Sequence, residues 1–159
     1  MLRFSTALLL FMCSLSAVAQ NEISASSLFL KPGEPVPQEC QQAAQLFAHL
    51  AAIYPHPKSG WHFVIVCDDN SWDAVMQKMG LVDGLTHYGE TEIDRRITLF
   101  RGRKLIHPDT GVSPEFIVAH ELAHIMLHSR NEQIVDLTAR KWVENFRNPI
   151  VQSKGPSNY

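Results

Sequence analysis

The chain has 159 residues, 45% of them hydrophobic, with 14 basic and 16 acidic side chains and a formal net charge of −2. That length fits one domain with a single core. The charge balance, with no basic stripe and no aromatic-basic interleaving, excludes a nucleic-acid-binding protein. Residues 1–19 carry Arg3, an apolar core from Ala7 to Met12 and the sequence Ala17-Val18-Ala19 before Gln20. This reads as a secretory signal with a cleavage site of the A-x-A type, too short in its apolar part to span a membrane. The expectation is a secreted or periplasmic protein with no stable membrane insertion.

Residues 20–37, with Pro32, Gly33, Pro35 and Pro37, read as an extended leader onto a domain covering 38–148. Cys40, Ala43, Ala44, Phe47, Leu50, Ala51 and Tyr54 then recur at helical spacing, with His49 off the apolar stripe. Pro55-His56-Pro57 stops that helix. Trp61 to Cys67 is rich in β-branched and aromatic residues and almost continuously apolar, which predicts a central strand. Asp68 to Ser71 caps a short helix with Trp72, Val75, Met76 and Met79 on its apolar face and Gly80 at its end. Leu85–Thr91 and Arg95–Arg101 suggest two strands around Glu92-Ile93-Asp94. Arg101 to Lys104 reads as a turn, and residues 107–111 as a loop.

Secretion and the loss of Cys13 with the signal leave one pair of cysteines, Cys40 and Cys67. A helix of about 14 residues rises roughly 20 Å, and the strand returns over a similar length, so Cys67 comes back to where Cys40 starts. A disulfide is expected.

The most informative stretch is Phe116 to His128, which contains His120-Glu121-Leu122-Ala123-His124. Ser113-Pro114-Glu115 supplies an N-cap, a first-turn proline and a first-turn acid. On a helix His120 and His124 share one face. Two imidazoles so placed can hold Zn²⁺, with Glu121 beside the metal as general base. His128 lies about 12 Å from His120 along the helix, too far to share that ion.

The next segment, Asn131-Glu132-Gln133-Ile134-Val135-Asp136, together with His120 to His124, resembles the gluzincin metallopeptidases, the thermolysin-like clan, including its small ImmA/IrrE-type and minimal members. The resemblance covers about residues 113–146. It implies a zinc peptidase with Glu132 as third ligand and Asp136 supporting His120. Only a tight turn at Ser129-Arg130-Asn131 separates the two helices, unlike thermolysin. Height along the returning helix favours Asp136 as ligand, whereas the longer Glu side chain favours Glu132; both stay open. On that helix Glu132, Asp136, Ala139 and Val143 share a face, expected to be the buried one.

The architecture expected is α+β: a small mixed or antiparallel sheet packed on helices, with a C-terminal metal-site helix hairpin and a flexible tail over 149–159. In the clan an edge strand lies along the substrate, which leaves two readings of Ile97–Arg101 open here: that substrate-pairing strand, or an ordinary sheet strand with no ligand. The function expected is hydrolysis of a peptide or protein substrate, with His87, Tyr88 and His107 as candidates for a further donor to the transition state. The alternatives are a non-catalytic zinc-stabilised binding module and a metallohydrolase of non-protein substrates.

Overall fold

The structure, a computed structural model, describes residues 22–26 and 34–147. The segment at 1–19 expected to be a signal, most of the expected leader and the expected tail at 149–159 lie outside the described residues. The fold is α+β, and the sheet is mixed, with strand order β1-β2-β4-β3. Strands β1 (Glu22–Ser26), β2 (His62–Val66) and β4 (Ile97–Arg101) are parallel, and β3 (Gly89–Glu92) runs antiparallel along β4. Among the described residues no helix is long and apolar enough to cross a membrane.

β2 is central, as its continuous hydrophobicity predicts: Phe63 and Ile65 feed one core and Val64 and Val66 the other. One face of the sheet is covered by α1 (Gln38–Ala51) and α4 (Pro114–Leu127), with Phe47, Phe63 and Phe100 stacked at its centre. The other is covered by α2 (Asp69–Met79), through Trp72 and Met76. Asp68 caps α2 by accepting from the Ser71 amide at 2.8 Å, and left-handed Gly80 closes it. Cys40, at the start of α1, is joined to Cys67, at the end of β2, so the helix–strand length match holds.

Four expectations need correction. Part of the leader is β1, a parallel edge strand that adds to the domain's sheet. The stretch expected to start a strand at Leu85 is instead a 3-10 helix, Val82–Thr86, and the strand begins only at Gly89. Residues 102–106 form a short helix, α3, not a simple turn, with Leu105 fully buried. Its first residue must be small, because a Cβ on Gly102 would sit 2.9 Å from Ile65 Cγ2 and 3.0 Å from the Val66 carbonyl oxygen. Finally, β4 is enclosed between β2 and β3, so its backbone groups are already paired and the open edge beside α4 belongs to β3.

Candidate functional site

Helix α4 begins at Ser113, whose hydroxyl accepts from the Phe116 amide at 3.2 Å, and ends at left-handed His128 (φ 49°). The Ser129 amide then bonds the His124 carbonyl at 3.1 Å, closing the last turn. Asn131 starts α5 (Glu132–Arg147), its side chain accepting from the amides of Gln133 and Ile134 at 3.1 and 3.3 Å. The hairpin turn is thus as tight as the spacing predicts, and it sets Glu132 beside the two histidines. His128 is exposed and takes no part.

His120 Nε2 and His124 Nε2 stand 3.1 Å apart. Glu132 brings Oε2 to 3.2 Å from the first and Oε1 to 3.5 Å from the second. Ligand atoms around a tetrahedral zinc, each at about 2.0–2.1 Å, are separated by about 3.3 Å. The outer nitrogens are also engaged: His120 Nδ1 meets Asp136 Oδ1 at 2.9 Å, and His124 Nδ1 meets the Ser129 carbonyl at 2.8 Å. A carbonyl or carboxylate oxygen can only accept, so in neutral rings both Nδ1 atoms carry the proton. Both Nε2 lone pairs therefore face each other and the Glu132 carboxylate, a set of acceptors that lacks a donor among the described residues. A cation satisfies it, and His120, His124 and Glu132 together could hold a metal ion. Burial, and then the neighbouring His124, push the His120 pKa down, partly opposed by Glu132 and Asp136. The uncharged ring is the form that binds metals.

In this arrangement Glu132 faces the ring nitrogens and Asp136 stands behind His120. The arrangement corrects the expectation that the ligand face of α5 is its buried face. α5 buries Val135, Ala139 and Val143, whereas the Glu132 and Asp136 side chains remain 68% and 44% exposed. They line the edge of a cavity of about 640 Å³, with His120, Glu121 and His124 behind it and residues of β3 along one side.

Glu121 is the buried acid of this cavity. Its side chain is buried, and burial, opposed by a hydrogen bond from Thr91 and reinforced by Glu90 and Glu132, raises its pKa to about 8. Thr91 Oγ1 donates to Glu121 Oε2 at 2.6 Å. Gly89 makes room for the same side chain, since a Cβ there would lie 2.6 Å from Oε1 and 2.7 Å from Cγ. Sequence reasoning missed Thr91 and Gly89. A glycine within a short alternating strand was the available signal, because it often marks close approach of another group.

The three donor candidates separate. His87 and Tyr88 line the cavity, whereas His107 is exposed at the end of α3 and is not part of the lining. His87 Nδ1 lies 3.0 Å from Glu90 Oε2, and the Tyr88 hydroxyl donates to Asp109 Oδ2 at 2.8 Å. Lys104 holds the other oxygen of Asp109 at 2.6 Å and keeps its carboxyl ionised to lower pH, so it serves as Tyr88's acceptor. No protein-family model, curated protein or solved structure matches the chain.

Proposed function

We propose that the chain is a secreted zinc metallopeptidase of the gluzincin type that hydrolyses peptide bonds. The observation that carries this reading is the convergence of His120 Nε2, His124 Nε2 and the Glu132 carboxylate, without a donor, in the cavity that also receives Glu121. Zinc held by these three side chains would polarise a scissile carbonyl and bring the pKa of a water near about 7. Nearby positive charge also favours ionisation of Glu121, which burial opposes, together with the charges of Glu90 and Glu132.

The remaining chemistry falls to the chain's own side chains. Glu121 takes a proton from the attacking water as its oxygen adds to the carbonyl carbon. It returns that proton to the leaving amine as the C–N bond breaks, so one water is consumed and the carboxylate is regenerated. Asp136 and the Ser129 carbonyl fix both imidazoles in the tautomer that presents Nε2. The wall formed by Val112, Phe116 and Ile117 supplies apolar surface for a substrate side chain. The Cys40–Cys67 bridge supports an oxidising compartment and hence secretion.

A zinc-stabilised binding module has no need of Glu121. An acid buried at the cost of a strongly raised pKa argues for a catalytic role. The test is hydrolysis of fluorescently labelled, denatured casein by the purified zinc-loaded protein. Activity that 1,10-phenanthroline removes and zinc restores is expected. Tight zinc binding with no cleavage of casein or of a mixed peptide library would instead favour the binding module.

A further inference from the structure

The buried side of Glu121 continues into the sheet as a chain of side-chain hydrogen bonds. Trp61 Nε1 donates to Thr98 Oγ1 at 3.0 Å, Thr98 Oγ1 lies 3.1 Å from Thr91 Oγ1, and Thr91 donates to Glu121 Oε2 at 2.6 Å. The register explains the middle link, because Thr91 and Thr98 are directly paired across β3 and β4. The direction of the chain follows from its ends. An indole N–H can only donate and Glu121, in the ionised form that serves as base, can only accept, while each hydroxyl has one proton. Thr91 commits its proton to Glu121, so Thr98 must donate to Thr91 and accept from Trp61. Thr98 is fully buried and Trp61 nearly so, leaving water little access to replace either link.

The two carboxylate oxygens therefore differ. Oε2 is tied to Thr91, and among the described residues Oε1 has no protein donor; it lies over Gly89, where the missing side chain leaves space. Resting on the peptidase reading, we propose that Thr91 is a positioning residue for Glu121: its hydroxyl, oriented by Thr98 and Trp61, anchors Oε2 so that Oε1 is the oxygen that exchanges the proton with water. A carboxylate held through one oxygen keeps a single orientation, and misplacement of about 1 Å in such a group costs about a hundredfold in rate. A chain of bonds with a fixed donor at its far end also gains from mutual polarisation in a dry interior.

The test compares Thr91→Val, which keeps the shape and removes the donor, with Thr91→Ser, which keeps the donor. In casein hydrolysis by the zinc-loaded protein, Thr91→Val is expected to lower kcat about a hundredfold, with KM and zinc affinity close to wild type. Thr91→Ser should recover most of that loss, which a purely structural role for the threonine methyl would not predict. A readout independent of activity is the crystal structure of Thr91→Val, in which the Glu121 carboxylate should rotate or split between orientations. Unchanged kcat, or equal losses in both variants, would overturn the proposal. If wild type binds zinc but cleaves nothing, the peptidase reading fails on its own, and the crystal structure still decides: a single, unmoved Glu121 carboxylate in Thr91→Val overturns the anchoring.

Discussion

The two acids next to the histidines are held in opposite ways. Glu132 is solvent-exposed, lies twelve positions after His120 in the sequence, and reaches the ring nitrogens from the first residue of α5. Glu121 is buried, is adjacent to His120 in sequence, yet is held by Thr91, thirty residues upstream on an edge strand. The first acid belongs to a hairpin built from local sequence. The second depends on the pairing of β3 in the sheet. On the proposed reading, the difference teaches that binding a cation and orienting a base would be separable here, each open to perturbation without the other.

The largest expected separation comes from Glu121→Gln. The amide keeps the volume and leaves the metal-facing atoms in place, so zinc affinity should stay near wild type while turnover falls by about 10²–10⁴-fold. Rates on casein and zinc titration of the same sample check both halves. On the hairpin side, Asp136→Ala should weaken zinc binding by about 10–100-fold, as loss of a histidine's outer partner commonly does. Glu132→Ala should weaken it further, since it removes a ligand atom. Competition with a chromophoric chelator ranks the two, and the reverse order would restore Asp136 as the ligand.

How much of this was legible in the sequence divides along the same line. The i, i+4 histidines, the Ser113 cap and the tight turn at residues 129–131 are local, and each was readable from spacing. The Cys40–Cys67 bridge was readable too, because a helix and a strand of matched length must bring their ends together. Rise per residue alone pointed to Asp136 rather than Glu132: it ignores the extra methylene of Glu and places the acids by backbone alone. The open edge was assigned to β4 because strand order is non-local; nothing within Ile97–Arg101 shows that β3 folds back outside it. The same applies to β1, whose parallel pairing with β2 joins segments about forty residues apart, and to Thr91 and Gly89, whose roles exist only once β3 lies over α4.

Two smaller effects sharpen the buried side. Gly89→Ala places a methyl against the Glu121 carboxylate, and such overpacking should cost about 1–3 kcal/mol in denaturant unfolding. The zinc affinity should change much less than the stability. The pH dependence of the metal-free protein follows from the raised pKa of Glu121. Its native carboxyl keeps a proton up to about 8, whereas the unfolded one releases it near the ordinary value of 4.5. At this group the native state thus binds more protons across that interval, so Glu121's share of the stability falls as pH rises from 4.5 to 8. The contribution is at most about 1.4 kcal/mol per pH unit. Thermal melts of metal-free wild type and Glu121→Gln at pH 5, 6, 7 and 8 should diverge, the variant losing this part of the slope.

The most direct test of the central claim is the metal content of the purified protein, measured with and without His124→Ala. We expect about one tightly held zinc per chain in wild type and none in the variant, because His124 would supply one of three ligand atoms on a preformed face. Wild-type protein that holds no divalent ion after equilibration with zinc, or a variant that holds it equally well, would contradict the account.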